Sequence, residues 1–136
     1  MNETRGLWRG KVTDEVPYEH NGEWVQGDLI CSKYPDGSID CSVCAREVGE
    51  LKGYLVDPST LGECTGLRDK NGKLIFEGDV VKHKADVFEI KYSDEQARFL
   101  AVLANGVFNP VAIKNCEIIG NIHDNPELLK GENDEM

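Results

Sequence analysis

The sequence lacks the patterns that mark several enzyme classes and membrane proteins. No apolar run approaches the roughly 18 to 20 residues that a helix needs to cross a bilayer. No serine lies in a GxSxG elbow, and no GxGxxG, GxxxxGKS or GxxxxGKT phosphate loop occurs. Residues 1–15 are charged and contain no apolar core like that of a signal peptide. We therefore expect a non-enzymatic, cytosolic protein with no membrane partner.

Positive charge is also scarce. The 136-residue chain has 15 Lys and Arg against 25 Asp and Glu, so its formal net charge is −10. Broad attachment to nucleic acid or to anionic membranes needs a cationic field, which this composition lacks. A local basic cluster within residues 68–84 keeps a nucleic-acid-binding role open, beside the alternative of a solvated hairpin edge. Its members are Arg68, Lys70, Lys73, Lys82 and Lys84.

The five cysteines do not form a complete metal motif. Cys41 and Cys44 have the two-residue gap that lets two thiolates bind one Zn²⁺, but no second close pair follows. Cys31 and Cys64 are the candidate further ligands of a structural zinc. In a reducing compartment disulfides are not the expected state. The sequence favours an ordinary strand in which Cys41 and Val43 share one face and small thiols pack in the core, without a cofactor.

Turn signals recur at intervals of about ten residues, as in all-β domains. The segments between them have extended character and lie at residues 7–16, 23–31, 39–44, 87–92, 99–103 and 116–122, and Gly27 interrupts the second of them. A hairpin is expected at 20–22, a turn at 35–38 and a return segment at 110–113. In 87–92 the face with Phe88, Ile90 and Tyr92 is expected to be buried. Residues 93–98 begin like a capped helix but fit a polar hairpin loop equally well. Residues 45–60 are irregular and include a turn at 57–60. The pattern predicts a mainly β protein, either all-β or with short helices.

The stretch from residue 60 to residue 81 contains the strongest turn chemistry. Asn71-Gly72 favours a tight reversal in which both central residues have positive φ. Gly78 interrupts a strand pattern and indicates a bend, where Asp79 is expected to accept backbone N–H groups. Glu77 and Asp79 also resemble a carboxylate pair for acid–base work or for a hard cation, although the structural role is favoured. Two strands that meet at a corner are expected, as in small closed barrels.

Two blocks of the sequence resemble the YopX family of small phage and prophage proteins. The first contains TLG, CTGL, DKNGK and IFEGDVV within residues 60–81, and the second is IGNIHDNPEL at 119–128. The resemblance implies a mostly β architecture, a C-terminal piece similar to an SH3-like barrel, and carriage on a mobile bacterial element. The family generally has Gln and a large residue where Glu63 and Cys64 stand here, and the resemblance implies no established activity.

The predicted organisation has three parts. Residues 1–56 form an N-terminal β-hairpin region, residues 57–130 a YopX-like C-terminal β-barrel region, and residues 131–136 a disordered acidic tail. We expect a binding module of the bacterial host cytosol that binds another protein or a second copy of itself. The candidate contact residues are aromatic, because aromatic side chains dominate interface energetics, although each ring also fits the core. They are Trp8, Trp24 and Tyr54.

Overall fold

The computed structural model describes residues 6–13, 22–47, 50–109 and 113–130. These residues form β-strands and one short helix, which confirms the prediction of a mainly β protein. In chain order the elements are β1 (Trp8–Val12), β2 (Trp24–Lys33), β3 (Ile39–Glu47), β4 (Glu50–Arg68), β5 (Leu74–Phe76), β6 (Asp79–His83), β7 (Asp86–Ser93), β8 (Arg98–Val102), β9 (Glu117–Asn121) and α1 (Glu127–Lys130). Within the described ranges, no helix has the length and apolarity to cross a membrane.

The chain divides into two compact units, Met1–Cys64 and Thr65–Met136. The sequence prediction placed this division between residues 56 and 57. The difference arises because β4 continues without a break through the segment that was predicted to be an irregular turn. We call the two units unit 1 and unit 2.

Unit 1 is built from antiparallel strands that close on one another. β1 pairs with β2, β2 with β3, β3 with β4, and β4 returns to β1. The buried cluster of this unit consists of Cys41, Val43 and Val56. Val43 and Cys41 share one face of β3 because side chains alternate along a strand.

The turn residues inside β4 form a bulge instead of a reversal. The register with β1 shifts between Arg9 and Lys11, so β4 carries extra residues at this point. Asp57 Oδ1 accepts the Ser59 N–H at 3.0 Å. The Thr60 hydroxyl donates to the Asp57 carbonyl at 2.6 Å and accepts the Lys11 N–H at 2.9 Å. Hydrogen bonds typical of a turn are therefore present, but the neighbouring strand keeps the chain extended on both sides.

Gly27 was expected to interrupt an extended run, yet it lies inside β2. The backbone carbonyl of Cys44 on β3 comes so close that a Cβ at position 27 would overlap it. A strand glycine of this kind permits close approach of two backbones. Gly27 is therefore required for the pairing of β2 with β3.

Unit 2 contains a four-stranded antiparallel sheet in the order β8-β7-β6-β9, and β5 pairs with β4. Its buried cluster includes Phe88 and Ile90, which confirms the predicted buried face of β7. Tyr92 follows on the same face but is exposed near the end of the strand. The described sheet begins at β8 and ends at β9, and a closed SH3-like barrel stays a prediction.

The segment 93–98 is a hairpin loop, the second of its two predicted alternatives. Ser93 pairs with Arg98, and the Ser93 hydroxyl accepts the Gln96 N–H at 3.2 Å. The polar side chain that suggested a helix cap therefore orders the loop between β7 and β8. The predicted hairpin at residues 20–22, part of the return segment at 110–113 and the acidic tail lie partly or wholly outside the described residues.

Candidate protein-binding surface

The β2–β3 hairpin extends beyond the strands that flank it. β1 pairs with β2 only from Trp24 to Gly27, and β4 pairs with β3 only from Cys41 onward. Between these limits β2 and β3 pair with each other as far as Lys33 and Ile39. Every residue from 30 to 40 is exposed, and we call this segment the arm.

Three large apolar side chains of the arm face solvent. Ile30 is 57% exposed, Ile39 is 51% exposed and Tyr34 is 46% exposed. Ile30 lies opposite Ser42, whereas Ile39 lies opposite Lys33, so the two isoleucines occupy different faces of the hairpin. Concentrated apolar exposure on a protruding element is typical of protein–protein contact sites.

The backbone of β2 has an open edge in the arm. The Cα atoms of Cys31 and Cys41 are 4.2 Å apart, a separation typical of a non-hydrogen-bonded cross-strand pair. The N–H and C=O groups of Leu29, Cys31 and Lys33 therefore point away from β3. Among the described strands none pairs with this edge between Leu29 and Lys33. An open edge of this kind accepts an additional strand.

The tip of the arm is ordered by its own hydrogen bonds. The Tyr34 N–H donates to the Ser38 carbonyl at 2.9 Å, and the Gly37 N–H donates to the Tyr34 carbonyl at 2.9 Å. Asp36 Oδ1 accepts the Ser38 hydroxyl at 2.6 Å and the Ser38 N–H at 2.9 Å. These two bonds, the hydroxyl bond first, lower the pKa of the Asp36 carboxyl. The tip turn is thus formed without help from other strands.

The cysteines depart from the sequence expectation of free thiols. Cys31 in the arm and Cys41 at its base face each other across β2 and β3 and form a disulfide. Cys44 lies on the other face of β3, Cys64 is buried, and neither forms a disulfide. The four candidate zinc ligands are therefore not brought together. In the part of the chain that the structure describes, no three His, Cys, Asp or Glu side chains group as metal ligands.

The predicted aromatic contact residues are half-buried. Trp24 lies beneath the Arg9 guanidinium, whose carbon is 4.9 Å from the ring centroid, and the Lys11 Nζ is 6.0 Å from the same centroid. This geometry is a cation–π arrangement that uses the ring within unit 1. Trp8 and Tyr54 are also half-buried. The exposed apolar residues of the arm were missed, although Ile39 directly follows the predicted turn at 35–38.

The candidate nucleic-acid-binding residues are exposed but lie among carboxylates. Lys70 forms an ion pair with Glu117 at 3.6 Å, and Lys82 pairs with the same residue in the sheet register. The Arg68 guanidinium donates to the Gly72 carbonyl at 2.8 Å. The other two members of the set, Lys73 and Lys84, are exposed. A phosphate backbone would have to compete with these contacts and with the negative net charge.

Asp69 organises the turn that contains Asn71 and Gly72. Its Oδ1 accepts the N–H groups of Asn71 and Lys73, both at 2.9 Å, and its Oδ2 accepts the Ile118 N–H at 3.0 Å. Burial by itself raises the pKa of Asp69, but the three N–H donors and the charge of Lys73 outweigh it and hold the pKa below its usual value. Gly72 has positive φ (86°), whereas Asn71 does not, so the turn is not the type with two positive φ values.

Asp79 has a comparable role at the bend. Its carboxylate is 1% exposed, and its Oδ2 accepts the Phe76 N–H at 2.8 Å. Gly78 adopts the positive φ (94°) that the bend requires. The Asp79 carboxylate is therefore directed at the backbone of unit 2. Glu77 is half-buried.

A pocket of about 260 Å³ lies on unit 2. Its lining includes Glu89 and Lys91, which pair at 3.9 Å, together with the aliphatic side chains of Val102, Leu103 and Leu129. Burial raises the pKa of Glu89 against the opposing effect of Lys91. The two charged groups of the lining thus satisfy each other, and this arrangement does not single out a reaction.

Two small antiparallel units, one of which carries an exposed hairpin, define a nearly all-β protein. The sequence matches the YopX protein family over residues 18–130, and the chain belongs to that family. The structure is similar to the crystal structure of protein EF1440 from Enterococcus faecalis. The two chains are 26% identical, the TM-score is 0.52, and the match covers 90% of this chain and 96% of that one. No curated protein matches the sequence.

Proposed function

We propose that this protein is a non-enzymatic protein-binding module whose partner is a second copy of the same chain. The observation that carries the proposal is the open β2 edge of the arm, which runs beside the exposed Ile30 side chain. The resemblance to phage and prophage proteins supports a role in the cytosol of a bacterial host.

The β2 edge is self-complementary. Two antiparallel copies of one strand are related by a two-fold axis perpendicular to the sheet, and this symmetry pairs residues that share a face. With the axis at Ile30, the Ile30 side chains of the two copies stand opposite each other in a non-hydrogen-bonded pair. The outward groups of Leu29 then meet those of Cys31 of the second copy. This register satisfies the open edge and covers the most exposed isoleucine of the arm.

The proposal is tested by light scattering after size-exclusion chromatography, over a series of protein concentrations. We expect the wild-type chain to form dimers or larger assemblies. Ile30→Lys should weaken association by about tenfold or more, because it replaces an apolar contact with two positive charges that face each other and repel. The matched control is Ile119→Lys, which changes an exposed isoleucine of unit 2 and should leave association unchanged. A monomeric wild type, or equal effects of the two variants, would overturn self-assembly.

Proline substitutions test the edge itself. In this register the Cys31 N–H points outward to Leu29 of the second copy, so Cys31→Pro should weaken association relative to Cys31→Ser, which also lacks the disulfide, and should leave the β2–β3 pairing in place. Ser32 donates toward β3, and Ser32→Pro should instead destabilise the hairpin. Circular dichroism separates these two results. If Cys31→Pro associates as well as Cys31→Ser, the β2 edge is not the contact.

The alternative function is that of a nucleic-acid-binding accessory protein with a basic patch at residues 68–84. The exposure of Lys73 and Lys84 supports it, whereas the Lys70–Glu117 ion pair and the net charge of −10 weigh against it. Fluorescence anisotropy with single-stranded and duplex oligonucleotides at low salt distinguishes the two functions. Salt-dependent binding that is lost in Lys73→Glu, but not in Ile30→Lys, would favour the alternative.

A further inference from the structure

We propose that the Cys31–Cys41 pair is a reversible thiol–disulfide exchange site for low-molecular-weight thiols and their disulfides, and that the Cys31 sulfur is the atom attacked. This proposal does not rest on self-assembly. It follows from the placement of the two sulfurs, from their unequal exposure and from the charge beside them.

The strand pairing keeps the two sulfurs together in both redox states. Cys31 and Cys41 are directly opposed, and the ladder continues on both sides, from the pair of Gly27 with Ala45 to the pair of Lys33 with Ile39. Breaking the sulfur–sulfur bond therefore does not release the strands. A held pair of thiols re-forms its bond in an intramolecular step, which is favoured by its high effective concentration. This arrangement permits repeated opening and closing.

The two sulfurs differ in their access to solvent. Cys31 lies in the exposed arm, whereas Cys41 is 3% exposed and packs with Val43 and Val56. Exchange requires a thiolate to reach the sulfur that it attacks. An external reagent can therefore reach Cys31 and is excluded from Cys41. The expected mixed disulfide forms on Cys31, and Cys41 is the leaving group.

The exchange balances with two equivalents of thiol. A reagent thiolate attacks the Cys31 Sγ, and the electron pair of the broken bond goes to the Cys41 Sγ, which then takes a proton from water. A second reagent thiolate attacks the reagent sulfur of the mixed disulfide, and Cys31 leaves as a thiolate that is also protonated. The protein disulfide is reduced, and two small thiols are oxidised to one small disulfide. The reverse sequence oxidises the pair with a small disulfide.

Lys33 favours anionic reagents at this site. It stands two residues from Cys31 on the same face of β2, is exposed, and is paired with Ile39 in the register. A cation beside the attacked sulfur attracts a thiolate, and it also attracts the carboxylates of a peptide thiol such as glutathione. The site therefore fits a small anionic thiol better than a neutral one.

The other cysteines do not share these features. Cys44 lies opposite Asp28 on β2 and Gly53 on β4, so its cross-strand neighbours are not thiols, and Cys64 is buried. Cys116 is also buried, and this burial, with the nearby charge of Asp69 as a further cause, raises its pKa to about 11. A thiol with so high a pKa contains little thiolate at neutral pH and reacts slowly. Exchange is thus expected at the arm and not at the other three thiols.

The test uses the full chain in glutathione buffers of graded reduced-to-oxidised ratio. Samples are quenched with acid, alkylated with N-ethylmaleimide and analysed by intact mass and peptide mapping. We expect a reversible transition between a disulfide and a dithiol at positions 31 and 41, with Cys116 unchanged throughout. A pair that stays in one state at every ratio would overturn the proposal.

Two single variants identify the attacked sulfur. With oxidised glutathione, the remaining Cys31 thiol of Cys41→Ser should form a mixed disulfide, releasing one reduced glutathione, about tenfold faster, or more, than the Cys41 thiol does in Cys31→Ser, because exposure governs access. Lys33→Gln should slow formation of the adduct on Cys31 from oxidised glutathione, which carries carboxylates, more than from the uncharged disulfide of mercaptoethanol. If a variant fails to fold, brief reduction of the wild type and mapping of the trapped adduct gives the same answer. An adduct on Cys41 that equals the one on Cys31 would contradict the assignment.

Discussion

Two turns of this protein use the same chemistry in opposite settings. At the tip of the arm, Asp36 accepts hydrogen bonds from the nearby Ser38 and is exposed. In unit 2, Asp69 is 6% exposed and accepts N–H groups from its own turn and from Ile118, which is 49 residues away in sequence. The comparison shows that a turn aspartate connects distant parts of the chain when it is buried and accepts a hydrogen bond from a strand far away in sequence. The predictions below test that difference.

The largest effect is expected for Asp69→Ala. The substitution leaves the N–H groups of Asn71, Lys73 and Ile118 without their acceptor. These three bonds are partly buried, so each is expected at the low end of the roughly 1–3 kcal/mol cost of an unsatisfied donor, and unit 2 should lose about 3 kcal/mol of unfolding free energy. Hydrogen exchange of the Lys73 and Ile118 amides, together with urea unfolding, measures this loss. Protection that survives in the variant would show that Asp69 does not hold the turn.

A smaller loss is expected for Asp79→Ala, since Asp79 accepts the backbone N–H of Phe76. We expect unit 2 to lose about 1–3 kcal/mol, the cost of one buried donor without a partner. Asp79→Asn keeps an acceptor oxygen and should restore part of the loss. Urea unfolding of both variants checks this order, and equal losses would assign the effect to charge rather than to hydrogen bonding.

The pKa shifts of two carboxylates in unit 2, Asp69 and Glu89, also predict how its stability depends on pH. The pKa of Asp69 is lowered in the folded state, so its stabilising contribution is present above the pKa of the unfolded chain and is lost as pH falls through the folded value. The pKa of Glu89 is raised, so its effect has the opposite sign and favours the folded state at lower pH. Asp69→Asn should flatten the acid branch of the stability curve, and Glu89→Gln should steepen it. Thermal melts between pH 3 and 7 measure both slopes. Parallel curves for the wild type and Asp69→Asn would contradict the assignment to Asp69.

Much of the fold was readable from local pattern. The alternation of Phe88 and Ile90 predicted the buried face of β7, and Gly78-Asp79 predicted a bend with a carboxylate acceptor. Contacts between residues far apart in sequence could not be predicted, because no local property of Asp69 reveals that its second oxygen accepts the N–H of Ile118. The same limit explains β4, where Asp57 makes turn-type bonds inside a strand that its neighbours keep extended.

The candidate site was missed for a related reason. Rings such as Trp24 were predicted as contact residues because aromatic side chains contribute most to interface energetics, but in the structure they are half-buried. The sequence did not show how far the β2–β3 hairpin extends beyond its neighbours. One signal was present, because Cys31 and Cys41 lie at equal distances in sequence from Asp36 at the predicted turn. That symmetry places the two cysteines opposite each other once the hairpin register is set by the turn.

The smallest effect is expected for Asp36→Ala, the counterpart of Asp69→Ala. Ser38 is exposed and can replace the lost carboxylate with water, and the bond between the Tyr34 N–H and the Ser38 carbonyl remains. We expect no measurable change in the melting temperature and faster exchange of the Ser38 amide alone. Because the arm keeps its register, association and the Cys31–Cys41 bond should also be unchanged. A cooperative loss of protection from Ile30 to Ile39 would instead show that the tip turn determines the order of the whole arm, and the contrast with Asp69 would then be one of position and not of burial.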